Sequence, residues 1–524
     1  MSKLYILIIG VICSACQAAR ILAVFPTPSI SHQVVFRPLT RELAKRGHDV
    51  VVITTDPAYP KGETPERLTE IDVHDISYNM WREEVLSSAT TSGKSDDLTT
   101  QMKTMLPLLS KIFEIQMLTD QVQEVFSNRT NHFDLILVEG CVRPAVSVSH
   151  VFKAPVILVS SFLGVLRNYD VLGAPMRPPL HYPTVLRQKI YNLSLWDKIV
   201  ELYHHYLFEE IFASIEDEDN KIVKKLFGPD TPTVKELENN VHMMLLNAHP
   251  IWDSNRPVPP NIIFMGGVHQ NPSKELPKEL KSYLDSSKQG VIYISFGTNV
   301  DPASLPPERI QMLIRVFSKL PYDVLWKWSR DELPGRSKNI RISKWLPQSD
   351  LLKHPKVKLF ITQGGLQSTD EAITAGVPLI GMPMLGDQWF NVEQYIYHKI
   401  GLRLDLGPLT EDAFLAGINT ILIFMLILSF RKNIVKLRNI MRDQPEQPLD
   451  RAVWWTEHVI RHGGAPHLRA KVANMSWAEY LDLQLMAILA SAFVAILTAL
   501  SIGLYLVTGL VRKYVFTGIK LKNS

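Results

Sequence analysis

Between Thr362 and Asn391 the chain reads TQGGLQSTDEAITAGVPLIGMPMLGDQWFN. These residue types suit a phosphorylated, hydroxyl-rich ligand. Gly364 and Gly365 follow an apolar run and let the backbone come close to a ligand. Ser368 stands near the opening of the next helix, where free amides and the positive helix end favour a diphosphate. Glu371, about one turn further in, offers its carboxylate to two ribose hydroxyls. After the next apolar run, Asp387 and Gln388 supply an acceptor pair and an amide for sugar hydroxyls. Other chemistries lack their motifs. No GxGxxG follows an apolar run, no GxSxG elbow exists, no HExxH occurs, and the one CxxC, Cys13 to Cys16, lies in the N-terminal stretch that reads as a signal peptide. Asp217-Glu218-Asp219 forms a DxD of the kind that holds a cation against a sugar nucleotide. It lies in IEDEDN, away from any strand end, and reads as a solvated acidic helix face.

The elements that must position these residues form two α/β series. RILAVF (Arg20 to Phe25) is a strand, His32 to Arg46 a helix with Val35, Leu39 and Leu43 on one face, and HDVVVITT (His48 to Thr55) a second strand. Strand, helix and strand in about 35 residues make a βαβ unit, hence a parallel sheet covered by helices. FDLILVEG and APVILVSSF are later buried strands. Asn255 to Leu276, rich in Pro and Asn, reads as a linker. A second alternation follows it, with strands at VIYISF, YDVLWKW, KLFITQ and VPLIGMP. The expected fold is α/β, two facing Rossmann-like doubly wound halves, with ligands beyond the carboxyl ends of the strands.

The two ends stand outside this core. Lys3, the apolar run Leu4 to Cys13 and the small residues up to Ala19 have the order of a secretory signal peptide (1–19). Leu485 to Val511 carries no charge and is long enough to span a bilayer. Arg512, Lys513, Lys520 and Lys522 follow it; without these four and Lys3 the rest of the chain is at −1, against a formal +4 for the whole. The basic balance is therefore a membrane-topology signal and not a nucleic-acid footprint. The tail is expected in the cytosol and the body in a lumen. The ending KLKNS resembles a dilysine retrieval signal. Of three cysteines only Cys141 lies in the body, which leaves it no intrachain disulfide. Sequons stand at Asn128, Asn192 and Asn474. At 524 residues, 46% hydrophobic and 21% charged, the composition is globular and excludes a disordered or fibrous protein.

The Thr362–Asn391 segment resembles the signature of the UDP-glycosyltransferase family, whose members share the two-domain GT-B fold. The resemblance extends to ISFGT (Ile294 to Thr298), KWLPQSDLL (Lys344 to Leu352), DRAVWWTEHVIRHGGAPHLR (Asp450 to Arg469) and the terminal anchor. It is strongest with the animal, membrane-anchored branch and its insect members. It implies an acceptor-binding domain at 20–254, a linker at 255–286, a UDP-sugar-binding domain with closing helices at 287–484, a transmembrane helix at 485–511 and a cytosolic tail at 512–524.

The resemblance also implies roles for residues. Trp345 lies beside the uracil and Gln348 on the nucleoside side. Gln363, Gly365 and Ser368 contact the diphosphate, with Ser295 and Thr298 in the bordering loop. Glu371 holds the ribose, and Asp387 and Gln388 the transferred sugar. His32, in the SISHQ loop at the head of a helix, is the base that takes the acceptor's proton, a task suited to an imidazole near neutral pH. The aspartate that orients this histidine in the family is matched by Glu139, one methylene longer. Gln363 replaces a histidine common in relatives. Ile421 to Leu428 is apolar where relatives have a polar stretch, and eight residues cannot span a membrane.

The implied activity is inverting, metal-independent transfer of a sugar, with glucose favoured by the insect resemblance, from a UDP-sugar co-substrate to a hydroxyl of a small lipophilic acceptor. The implied setting is the endoplasmic-reticulum membrane in a single-pass type I orientation, with lipid as a further partner and no nucleic acid. A homo-oligomer is left open. The alternatives are a non-catalytic lumenal lipophile-binding protein of the same fold, which Gln363 and Glu139 would suit, and a transferase acting on lipid or protein acceptors.

Overall fold

The computed structural model describes residues 18–87, 98–127, 131–165, 167–174, 178–270, 272–424 and 430–522. The signal-peptide reading lies almost entirely outside them, as do Asn128, the second half of the Ile421–Leu428 run and the last two residues of KLKNS. The chain divides into two compact units, Met1–Ala470 and Lys471–Ser524.

The first unit holds two parallel sheets. One orders its strands β3-β2-β1-β4-β5-β6-β7, from β1 (Arg20–Phe25), β2 (Asp49–Thr54), β3 (Leu68–Asp72), β4 (Leu135–Glu139), β5 (Val156–Ser160), β6 (Val241–Leu246) and β7 (Ile262–Phe264). The other runs β10-β9-β8-β11-β12-β13, from β8 (Val291–Ser295), β9 (Asp323–Lys327), β10 (Ile340–Ser343), β11 (Val357–Thr362), β12 (Leu379–Gly381) and β13 (Gly401–Arg403). The central strands β4, β5 and β8 are buried at every residue, as continuous apolar runs covered on both faces must be.

Register places the functional ends. In the first sheet Val24 pairs with Val138, so Glu139 ends β4 beside the turn that leaves β1. That turn leads into helix Ile30–Lys45, whose Val35, Leu39 and Leu43 are buried on one face. Gly47, at φ +99°, stops the helix, and the His48 amide turns back to the Leu43 carbonyl. In the second sheet Ser295 pairs with Thr362, so the loops after β8 and β11 emerge side by side.

Three expectations differ from the structure. The Pro-rich stretch read as a linker contains β7, where Ile262 pairs with Met244; a three-residue strand behind Pro259 and Pro260 is too short for its pattern to show. Helix Pro448–Arg461, grouped with the second half, packs on the first. Its Ala452, Val453 and Val459 share an apolar cluster with β1, and Arg46 reaches Asp450 and Glu457, each at 3.5 Å. The acidic run is not wholly solvated either: Asp219 is 1% exposed, accepts a 2.6 Å bond from the Ser110 hydroxyl and faces Arg143 at 3.7 Å. Ile421 and Leu422 are core residues at the end of helix Glu411–Phe424, packed in the second half's apolar cluster.

The second unit contains helix Leu483–Lys522. Its stretch Leu483–Val515, 33 residues at a mean hydropathy of 2.5, is long and apolar enough to cross a membrane.

Candidate active site

His32 sits in the first turn of helix Ile30–Lys45, above the end of β4. Its Nδ1 is 2.6 Å from Oε1 of Glu139, a carboxylate only 1% exposed. The Thr27 amide donates to Oε2 at 3.0 Å and the Cys141 thiol to Oε1 at 3.3 Å. The extra methylene of glutamate is thus accommodated: the carboxylate is pinned by the chain on both sides of the dyad. Glu139 engages Nδ1 of the ring and leaves Nε2 outside the pair. The Phe162 ring meets the imidazole edge-on at 5.4 Å.

A cleft of about 580 Å³ opens in front of His32, at the carboxyl ends of the strands of the second sheet. Ser295, Thr298, Trp345, Gln348, Gln363, Gly365, Ser368, Glu371, Asp387 and Gln388 all line it, so every expected donor residue is brought to one cavity. Gly365 caps helix Leu366–Ala375, and Ser368 lies in its first turn. Gln348 organises the floor. Its amide donates to Ser368 Oγ at 3.0 Å and to Glu371 Oε2 at 2.7 Å, while its Oε1 accepts from the Tyr293 hydroxyl at 3.0 Å. Burial pushes the Glu371 carboxyl up to about 7, against the pull of the Gln348 amide. Burial likewise lifts Asp387 to about 6, opposed by the Asn391 amide at 2.7 Å and by the nearby His32. Gln388 Oε1 accepts from the amides of Met384 and Leu385, which fixes the loop. Gln363 is buried beside Gly297, whose φ of +77° favours glycine and where a Cβ would collide with the Gln363 amide. Trp345 is 67% exposed, with the Lys327 ammonium 5.0 Å from its ring centroid.

Behind His32 lies a second, mainly apolar cavity of about 170 Å³, lined by Trp81, Met102, Met105, Leu109 and Val185 among others. His32, Phe162, Asn299, Asp387 and Gln388 border both cavities. Gln101, from helix Leu98–Met117, donates to the Met384 carbonyl at 2.9 Å and accepts from the Gly386 amide at 3.3 Å, tying the apolar cavity to the Asp387 loop.

Several contributors had no motif to announce them. Tyr293 points from mid-strand β8 to Gln348. Lys327 ends β9 and donates to the Gly297 carbonyl at 2.8 Å; its place at a strand's carboxyl end was the one available signal. Asn299 bonds Ser29 across the two halves. Of the sequons, Asn192 is exposed and Asn474 half-buried, both at positive φ.

Two parallel Rossmann-like sheets, with a polar cleft at their strand ends and a histidine–carboxylate dyad at its wall, define a glycosyltransferase of the GT-B class. The chain belongs to the UDP-glucoronosyl and UDP-glucosyl transferase family, whose pattern matches residues 20–516, and is a UDP-sugar-dependent glycosyltransferase. It is 36% identical to an ecdysteroid UDP-glucosyltransferase of Spodoptera littoralis nuclear polyhedrosis virus, over 88% of this chain and 92% of that one. It is 30% identical to UDP-glucosyltransferase 2 of Dactylopius coccus, over 94% of each. Among solved structures, Arabidopsis thaliana UGT89C1 complexed with UDP superposes with a TM-score of 0.56 at 16% identity, covering 85% of this chain and 99% of that one. Spinosyn forosaminyltransferase SpnP superposes at 0.54 and 19%, covering 85% and 100%. At such identities the two structures speak for the fold alone.

Proposed function

We propose that the protein transfers glucose from UDP-glucose to a hydroxyl of a small lipophilic acceptor, with inversion at the anomeric carbon. The observation that carries this reading is the position of His32, in the wall common to the polar cleft and the apolar cavity, with Glu139 behind it. An acceptor held in the apolar cavity presents its hydroxyl to Nε2. The base takes the proton as the oxygen attacks the sugar, and UDP leaves on the opposite side. Amides at the start of helix Leu366–Ala375 meet the charge of the departing diphosphate. Glu371 receives the ribose hydroxyls, Trp345 flanks the uracil, and Asp387 with Gln388 receives the glucose hydroxyls. Relatives named for glucose transfer support the sugar, and those named for ecdysteroids put steroids among the acceptors to try. The Leu483–Val515 helix anchors the protein in the endoplasmic-reticulum membrane, the body lumenal and the basic tail cytosolic.

The test is a microsomal assay with labelled UDP-glucose, UDP-glucuronic acid and UDP-galactose against a panel of phenols and steroids. Glucosides are expected from UDP-glucose. UDP binding without transfer to any acceptor would favour a binding protein, and preference for another sugar would overturn the donor assignment.

A further inference from the structure

His32, Glu139 and Cys141 bring a ring nitrogen, a carboxylate oxygen and a sulfur within 4.8 Å of one another. His32 Nδ1 lies 2.6 Å and Cys141 Sγ 3.3 Å from the same oxygen, Glu139 Oε1. Cys141 and His32 also line the apolar cavity, so the cluster is reached from the acceptor side. Nitrogen, carboxylate and thiolate together form the donor set that Zn²⁺ and Cd²⁺ select, whereas Mg²⁺ requires an octahedron of oxygens. Donors around a tetrahedral zinc stand about 3.4 Å apart, given metal–ligand bonds of roughly 2.0–2.3 Å. The thiol–carboxylate edge already has that length. The histidine–carboxylate edge must open by about 0.8 Å, a small rotation for an imidazole that packs edge-on against one aromatic ring.

We propose that these three side chains form an inhibitory site for a soft divalent cation, which replaces the proton shared by His32 and Glu139. The inference rests on the assignment of His32 as the base. The cation takes the Nδ1 lone pair, and the imidazole's proton moves to Nε2. A protonated Nε2 cannot accept the acceptor's proton, so transfer stops while the donor cleft stays intact. The thiol releases its proton to solvent and binds as thiolate. The carboxylate and thiolate together balance the dication, and the fourth coordination position faces the cavity and takes water. In the free protein the Cys141 thiol donates to Glu139 Oε1, and the cation takes the place of that proton.

The full-length protein in detergent is titrated with Cd²⁺, with the ultraviolet thiolate-to-cadmium band, the transfer rate and UDP affinity followed in parallel. The expected result is a band saturating near one equivalent, loss of transfer over the same concentrations, recovery with EDTA, UDP affinity within twofold, and no effect of Mg²⁺. Cys141→Ser should abolish the saturable band and raise the inhibitory Cd²⁺ concentration at least tenfold, with Cys141→Ala as the second variant. Cys13 and Cys16 lie in the stretch expected to leave as a signal peptide and are unaltered in both variants, so the difference isolates Cys141. An unchanged band or unchanged inhibition in both variants would overturn the site. A band that depends on Cys141 in a protein that transfers no sugar would uphold the cation site and sink the catalytic reading separately.

Discussion

Ser29 and Asn299 are 270 residues apart in the chain, yet their side chains bond across the cleft at 3.1–3.2 Å, joining the turn before His32 to the loop after β8. The link holds the helix that carries His32, the proposed base, against the half that is expected to carry the sugar. Asn299→Ala should cut kcat roughly fivefold, the ~1 kcal/mol of one neutral hydrogen bond, with little change in UDP affinity. Ser29→Ala should cost about the same, and the double variant no more than either alone. Additive losses would show that the pair does not act as a unit.

His32→Ala should reduce transfer by about 10²- to 10⁴-fold while UDP binding, measured calorimetrically, stays within twofold, because the base meets the acceptor and not the nucleotide. Glu139→Gln should cost less, since it keeps a partner for Nδ1 but loses the charge that stabilises the imidazolium. A His32→Ala enzyme with most of its turnover would remove the base assignment.

Glu371→Ala should raise the Michaelis constants of all UDP-sugars by a common factor of about 10 to 100, the worth of hydrogen bonds to a charged group. Ribose is shared by every donor. Asp387→Ala should instead change the ranking among sugars. Parallel losses in both variants would refute the division of the cleft into nucleoside and sugar sides.

The Glu371 carboxyl has an ordinary value of 4.5 and is lifted by burial to about 7 in the folded protein. Between those values the native state holds a proton that the unfolded chain has released, so this contribution to stability is full below pH 4.5 and is lost as pH rises towards 7. The loss is at most about 3 kcal/mol. Glu371→Gln, which cannot ionise, should therefore melt above wild type at pH 7.5 in the ligand-free state, with the gap closing at pH 5. A gap independent of pH would show that Glu371 is ionised throughout.

Replacing Lys520 and Lys522 by Ser should let the protein move forward from the endoplasmic reticulum, seen as glycans that mature beyond endoglycosidase sensitivity. Transfer in detergent should not change. Protease added to sealed microsomes should remove a tag fused after Ser524 and spare one placed after Ala19; protection of the C-terminal tag would refute the lumenal body.

The sequence by itself determined the two α/β series, the membrane-length helix and most of the residues that line the polar cleft. Parallel strands buried on both faces must be continuous apolar runs, and the residues that follow them are carried to one edge of the sheet. That is why Asp387 could be placed from local pattern, while Ser295 and Gln363 were expected only through the family resemblance; all three lie at or beyond the carboxyl end of a strand. Only the tertiary structure decided what register and long-range packing bring together. The pairing of Val24 with Val138 sets Glu139 beside the β1 turn, where Thr27 and Cys141 complete its hydrogen bonds. Tyr293 looks like any core strand residue until Gln348 is folded against it. Asn299 has no local pattern because its partner lies 270 residues away. Helix Pro448–Arg461 has an apolar face whose spacing shows that it is covered, but a face does not name its partner. The chain's return from the second half to the first was decided by which surface remained for Ala452, Val453 and Val459 to cover.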